Sequence, residues 1–327
     1  MKAIVYTRYG SPDVLQLKDV EKPAPRDNEV LVRVRAASVN AYDWHFLTAD
    51  ISLIRVMGAG LLRPKNPRLG ADVAGQIEAV GRNVSQLRPG DEVFGDLAGH
   101  GNGSFAEYVT ASENAFALKP ANLSFEEAAA VPMAAVTALQ GLRNEGHIQP
   151  GQKVLINGAS GGVGTYAVQL AKYFGAEVTA ICSTGNVDQA RSLGADHVID
   201  YTREDFTRSG GRYDLILAAN GYHSLAAYKR ALAPGGVYVM AGGTAAQIFQ
   251  AMLLGSLMSI TGSRKMGGVS ARPTQEDLVF MKGLLEAGKV VPVIDRRYPL
   301  RETAEALRYL GEGHARGKVV ITVGDPV

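Results

Sequence analysis

Apolar and polar positions follow two rhythms along this chain. Up to about residue 120, short stretches of strand character at residues 3–6, 30–36, 73–80 and 107–110 are separated by turn formers. The turns read Gly10-Ser11-Pro12-Asp13, Pro23-Ala24-Pro25 and Arg88-Pro89-Gly90-Asp91; in them proline presets φ and glycine reaches conformations closed to other residues. Strands so short and evenly punctuated predict a barrel or sandwich. At Ser124 the rhythm changes. Ser124 followed by Glu126-Glu127 suits a helix start, where the hydroxyl accepts a free N–H and carboxylates meet the positive helix end.

The apolar run Val154-Leu155-Ile156 predicts a buried strand. It breaks into Gly158-Ala159-Ser160-Gly161-Gly162-Val163-Gly164 and then into a helix with apolar positions Tyr166, Val168, Leu170, Ala171 and Phe174. Strand and helix then alternate, with strands at 177–182, 197–199, 213–218, 236–241 and 257–261 and helices around 187–193 and 224–232. That alternation predicts a doubly wound parallel sheet. Helical spacing returns at 276–287 and 301–311, and 318–323 reads as a strand. The expected organisation is α/β: a β-rich domain of residues 1–123 and 265–327, and a parallel-sheet domain of residues 124–264.

Composition narrows the function. With 34 basic and 32 acidic residues among 327, the net charge is +2, too weak a field to point to nucleic acid or an anionic membrane. The start MKAIVYTRYG lacks the apolar core of a secretory signal, and the apolar window at 252–260 is too short to span a bilayer. The lone Cys182 excludes an internal disulfide. A soluble, cytoplasmic protein with no nucleic-acid or membrane partner is expected.

Strand, glycine turn and helix in that order are the setting in which such glycines bind a dinucleotide. They allow a sharp turn and let a pyrophosphate approach main-chain N–H groups at the positive helix end. Ser160, Gly161, Gly162 and Val163 are the candidate contacts; Ala159 holds the first slot of G-x-G-x-x-G, so the match is incomplete. The alternative is an ordinary tight turn.

Further fragments recur in a fixed order: Glu29-Val30-Leu31-Val32-Arg33-Val34, Ser38-Val39-Asn40-Ala41-Tyr42-Asp43, Leu69-Gly70-Ala71-Asp72-Val73-Ala74-Gly75, Pro89-Gly90-Asp91-Glu92-Val93-Phe94-Gly95, Gly103-Ser104-Phe105-Ala106-Glu107-Tyr108-Val109, Ser192-Leu193-Gly194-Ala195-Asp196 and Gly317-Lys318-Val319-Val320. With them the chain resembles the medium-chain dehydrogenase/reductase superfamily, in its zinc-independent, zeta-crystallin-like quinone oxidoreductase branch. The resemblance implies a GroES-like β domain, a Rossmann domain and a homodimer formed through the last strand. It places Asn40 where zinc-using relatives carry cysteine, and Ala71-Asp72 where they carry histidine and glutamate. The six histidines are scattered, and no zinc is expected.

The same resemblance assigns cofactor contacts to Thr137, Asn220, Gly242, Gly243 and Lys318. At the end of the second Rossmann strand, Cys182-Ser183-Thr184-Gly185-Asn186 lacks the acidic residue that usually holds the ribose of NAD. Ser183 and Thr184 can donate to a 2′-phosphate, with Arg191 or Tyr201 as a further contact. NADPH is expected, with NADH possible; capping of the next helix is the other use of these hydroxyls.

Without a Lewis acid, quinones and α,β-unsaturated carbonyls are the suitable hydride acceptors, because conjugation already spreads the incoming charge. Asn40 is expected to orient cofactor or substrate, Tyr42 to donate a hydrogen bond or proton, and Asp43 to hold their segment. Asn40 could equally cap a helix over residues 41–47. Residues 57–62 are a candidate apolar wall. Enoyl-thioester reduction and a nucleotide-binding structural or regulatory role are the competing functions.

Overall fold

The computed structural model describes residues 1–50, 60–208, 210–243 and 264–324. In chain order the elements are β1 (Lys2–Val5), β2 (Gln16–Asp19), β3 (Glu29–Val39), α1 (Ala41–Thr48), β4 (Asp72–Val80), β5 (Glu92–Asp96), β6 (Tyr108–Ser112), β7 (Phe116–Leu118), α2 (Phe125–Ala129) and α3 (Pro132–Gln140). Then follow β8 (Lys153–Asn157), α4 (Gly162–Tyr173), β9 (Glu177–Cys182), α5 (Val187–Ser192), β10 (His197–Asp200), β11 (Tyr213–Ala218), α6 (Leu225–Ala231), β12 (Leu232–Met240) and β13 (Lys265–Gly268). Last come α7 (Gln275–Glu286), β14 (Ile294–Pro299), α8 (Thr303–Gly311) and β15 (Lys318–Thr322).

The chain forms two units: residues 1–133, 273–288 and 292–327, and residues 134–272 with 289–291. In the first, the seven-stranded sheet runs β14-β15-β3-β4-β5-β7, with β6 also on β3. Its apolar core includes Val30, Val32, Val73, Phe94, Phe116 and Ile321, all buried. The alternating pattern of β3 is interrupted by register shifts between Leu31 and Val32 and between Val34 and Ala36. On its other edge β3 pairs with β6 through its first half and with β15 through its last residues.

Register sets the row of residues that matters. Ser38 lies opposite Asp72, and Asp72 opposite Asp96, so three polar residues stand abreast on β3, β4 and β5. Directly opposed residues of antiparallel strands share a face. Val319 pairs with Val39, which brings Lys318 level with Asn40 at the strand ends.

The second unit is a six-stranded sheet, order β10-β9-β8-β11-β12-β13, with every pairing parallel. Counted within the unit, this is the order 3-2-1-4-5-6. Its reversal point lies between β8 and β11, where ligands bind outside the carboxyl ends of the strands. Between the exposed Lys153 and Asn157, β8 is apolar and buried, Val154-Leu155-Ile156, because both of its faces are covered.

The boundaries differ from those expected. α2 belongs to the first unit because it packs on β3, β4 and β15, so the division falls at 133. β13 belongs to the second unit, as the strand parallel to β12. Residues 289–291 return to the second unit, where Gln169 grips Val291: Val291 N donates to Oε1 (2.8 Å) and Nε2 donates to Val291 O (3.0 Å). The strand expected at 257–261 and residues 57–59 of the wall expected at 57–62 lie outside the described residues.

Candidate active site

In the first unit the strand-end row forms a closed polar cluster. Asp72 Oδ2 accepts from Ser38 Oγ (2.7 Å) and Asn40 Nδ2 (2.9 Å), and pairs with Lys318 Nζ at 3.1 Å. Asp72 Oδ1 accepts from Met133 N (2.8 Å). Lys318 also donates to Asn40 Oδ1. Lys318 is 3% exposed and Asp72 is fully buried. Lys318 is therefore no lysine at a cofactor's outer edge; it is the counter-ion of a buried carboxylate. Removing one partner from a buried pair of this kind typically costs about 3–5 kcal/mol, because the other charge is left uncompensated.

Asn40 precedes α1, and Asp43 Oδ2 accepts its N–H (2.9 Å), while Asp43 Oδ1 accepts from Gly70 N (3.0 Å). Asp43 thus holds the Asn40 segment, as expected. The Asn40 amide, however, is committed on both atoms within the cluster. Burial pushes the carboxyls of Asp43 and Asp96 up to about 7, with the Asp72 charge adding to burial in both. Tyr42 is differently placed. Among the described residues its hydroxyl has only long contacts, with the Asn102 amide (3.3–3.4 Å), and burial pushes its phenol up to about 12. It stays protonated at neutral pH and can donate.

Zinc does not fit this cluster. The carboxylate at the position where relatives carry ligands already faces an ammonium, and the neighbouring donors are an amide and a hydroxyl. Among the described residues no group of three His, Cys, Asp or Glu is arranged to hold a metal ion. His45 lies against Asp50, and His197 against Glu177.

In the second unit the glycine turn sits at the reversal point of the sheet. Gly158, one place before the first motif slot, makes the tight turn with φ +80°. Ala159 is buried there, its N–H donating to Ile181 O (3.0 Å). A Cβ on Gly164 would lie 2.0 Å from Gly158 O, so only glycine permits the packing of turn on helix. Among the described residues a Cβ on Gly161 would meet nothing nearer than Gly158 O at 3.6 Å, which leaves an open cradle beside the start of α4. The first N–H groups of a helix have no intrahelical acceptor; here those include Gly162, Val163 and Gly164, since Thr165 N is the first to bond back, to Gly161 O (2.9 Å). Gly161 N–H is already given to Gly158 O (3.2 Å). Donors at a positive helix end around an unfilled space suit a dinucleotide's diphosphate.

The carboxyl ends of the neighbouring strands complete this region. Asn220 N donates to Asn157 O (3.3 Å), and Gly221 forms a parallel bridge with Gly243. Gly242 N donates to Ala218 O (3.2 Å). The structure thus brings Ser160, Gly161, Gly162, Val163, Asn220, Gly242 and Gly243 to one end of one sheet. Thr137 lies on α3, nearly buried. Tyr201 N donates to Cys182 O (3.1 Å), which ties it to the Ser183 segment, and its ring lies 5.6 Å from that of Tyr222. Arg191 does not converge; it pairs with Asp188 at 3.5 Å.

Ser183 and Thr184 part company. Ser183 Oγ accepts from Asn186 Nδ2 (3.1 Å), whereas Thr184 Oγ1 donates to Asp200 Oδ2 (2.5 Å). A carboxylate therefore does stand beside this segment, delivered by β10, whose Asp200 is in register with Cys182. Sequence reasoning sought the acid on β9 alone and missed it. It also missed the roles of Ser38, Asp72 and Asn186. A polar residue set between alanine and valine, in Ala37-Ser38-Val39 and in Ala71-Asp72-Val73, was the available signal for the first two.

Residues 26–121 match the family described as alcohol dehydrogenase GroES-like domain, and residues 193–321 the family described as zinc-binding dehydrogenase. A 2-methylene-furan-3-one reductase of Solanum lycopersicum is 39% identical over 98% of this chain and 79% of its own length. A chloroplast envelope quinone oxidoreductase homolog of Arabidopsis thaliana is 35% identical over 98% of both chains. A chloroplastic NADPH-dependent alkenal/one oxidoreductase of the same plant is 35% identical over 98% of this chain and 79% of its own. Among solved structures, the quinone oxidoreductase from Coxiella burnetii superposes with TM-score 0.87 at 31% identity, covering 99% of each chain. An enzyme described as NAD-dependent alcohol dehydrogenase superposes with TM-score 0.85 at 32% identity, covering 99% of this chain and 100% of its own. These names correct the expected cytoplasmic location. The relatives named for a compartment are chloroplastic or, as with an NAD(P)H oxidoreductase of Danio rerio at 32% identity, mitochondrial.

Proposed function

Because this chain belongs to the quinone oxidoreductase branch of the medium-chain dehydrogenase/reductase superfamily, we propose that it reduces quinones and α,β-unsaturated carbonyl compounds with NADPH and without a metal. It is an oxidoreductase of the nicotinamide-dependent kind. The observation that carries the reading is the glycine turn at the reversal point of the parallel sheet, with its open cradle at Gly161. The reduced nicotinamide, when bound, supplies the hydride.

Each residue then has a task. Gly162 and Val163 offer N–H groups to the diphosphate, and Ser160 a hydroxyl. Ser183 serves the 2′-phosphate, with Tyr201 beside it. Thr184 drops out of that role because Asp200 takes its hydrogen. Thr137 orients the carboxamide, and Asn220, Gly242 and Gly243 line the strand ends. NADPH is favoured by Ser183 and by the relative whose name specifies it.

Tyr42 supplies the hydrogen bond to the acceptor oxygen as charge builds there. Asn40 and Asp43 act by holding that segment in place. The Lys318–Asp72 pair fixes the Asn40 amide, and metal chemistry is not called on. Acceptors are limited to those whose conjugation already delocalises the incoming charge. A homodimer belongs to the same reading and rests on the resemblance.

The test is NADPH consumption by the purified chain over a panel of quinones, enones, simple ketones and an acyl thioester. Quinones and enones are expected to turn over and simple ketones not. Tyr42→Phe should lower kcat with enones by about tenfold or more, as loss of a donor to a developing oxyanion does, with KM for NADPH unchanged. No consumption with any acceptor would remove the proposal; preference for the thioester would move it to enoyl reduction.

A further inference from the structure

Asn186 has no task in the reading above, yet the structure builds it into the nucleotide region. It ends the short turn of 3-10 helix after β9 and is 8% exposed. Its Nδ2 donates to Ser160 Oγ in the glycine turn and to Ser183 Oγ at the end of β9, both at 3.1 Å. Its Oδ1 is buried with no partner among the described residues. One amide therefore splints the two segments that carry candidate hydroxyls, and does so at the cost of an unpaired buried acceptor.

The direction of those two bonds has a chemical consequence. A serine hydroxyl donates once. With Nδ2 serving both oxygens, each serine is satisfied as acceptor and keeps its hydrogen for another partner. With the amide reversed, Oδ1 would draw both hydrogens inward and leave only lone pairs outside. Phosphate oxygens accept and do not donate, so only the first arrangement suits an anionic ligand. Thr184 cannot substitute, since its hydrogen goes to Asp200.

We propose that Asn186 is a positioning and specificity-determining residue of the nucleotide site: it turns the Ser160 and Ser183 hydroxyls into donors, Ser160 for the diphosphate and Ser183 for the 2′-phosphate of an adenine dinucleotide. The inference rests on the nucleotide-binding reading given above. It makes the preference for a 2′-phosphate depend on a residue that itself need not touch the ligand.

Asn186→Asp tests it, because a carboxylate of the same shape accepts from both serines and adds a negative charge. The full chain and the variant are titrated with NADPH and with NADH, following nicotinamide fluorescence, with the thermal midpoint recorded alongside. Kd for NADPH should rise by about a hundredfold and for NADH by about tenfold, since two anionic contacts are lost in one case and one in the other, each charge-assisted bond being equivalent to about tenfold. Ser183→Ala, which leaves the amide in place, should weaken NADPH by about tenfold and leave NADH unchanged. In that background Asn186→Asp should no longer discriminate between the two nucleotides. An unchanged NADPH-to-NADH affinity ratio in both single variants overturns the inference while the nucleotide reading stands. Failure of the unaltered chain to bind either nucleotide overturns that reading and the inference with it.

Discussion

Asp43, Asp72 and Asp96 are buried in one strand-end cluster, and Lys318 is ion-paired with Asp72. Asp43 and Asp96 respond to burial and to the neighbouring charge by holding their protons, up to about pH 7. An unfolded aspartate releases its proton near pH 4. Between about pH 4 and 7 the folded chain therefore binds more protons than the unfolded one. Stability falls as pH rises through that window and is level above it. Asp96→Asn keeps an Oδ1 for the N–H of Ala98, which the carboxylate accepts at 2.8 Å, and cannot ionise. It should stabilise the chain at pH 8 by on the order of 1–4 kcal/mol, have little effect at pH 4, and flatten the slope between. Urea unfolding across that range reads it; parallel profiles for variant and parent would show that Asp96 stays ionised in the fold.

Among the elements, those with strong local signals were readable. The Ser124 hydroxyl accepts Glu127 N (3.2 Å) and the Glu127 carboxylate accepts Ser124 N (2.8 Å), the capping arrangement its neighbours implied. β8, the turn and α4 follow from an apolar run, glycines and a helical period. What escaped was whatever depends on register between distant strands. Lys318 looks like a surface lysine until β15 pairs with β3 and carries it level with Asn40. Asp200 looks remote from Ser183 until β10 lies along β9. The bulges of β3 are announced by no glycine or proline in its sequence, Glu29 to Val39. The glycine that makes the tight turn, Gly158, stands one residue before the motif's first slot, because the motif does not say which residue takes the positive φ. Gly164 is the position where that geometry is least forgiving. Gly164→Ala puts a methyl against Gly158 O; the expected loss is about 1–3 kcal/mol of stability, with NADPH affinity reduced by at least about tenfold. Calorimetric titration and thermal unfolding would check both. An unchanged affinity would show that the turn does not hold the nucleotide.

For the whole molecule, the division into units was legible in outline and not at its seams. Composition marks where β-rich sequence gives way to alternating strand and helix, but the seams are set by packing. α2 covers the first sheet, and residues 289–291 are drawn back by the buried Gln169. Gln140 does the same at Arg272, accepting its N–H (3.0 Å) and donating to its carbonyl (2.7 Å). The family, and with it quinone and enone reduction, was legible because its ordered fragments and glycine turn are short and local; in the strand-end cluster the donor set expected of a metal site is replaced by amide, hydroxyl and ammonium. That replacement carries the central claim: hydride passes from a nicotinamide to a conjugated acceptor that no ion has activated. NADPH bearing deuterium at the reactive nicotinamide carbon, an enone as acceptor, and enzyme dialysed against a chelator test it in one experiment. The account predicts one deuterium at the β-carbon of the saturated product and a rate untouched by chelation; a rate lost on chelation and restored by zinc, or a product without deuterium, would contradict it.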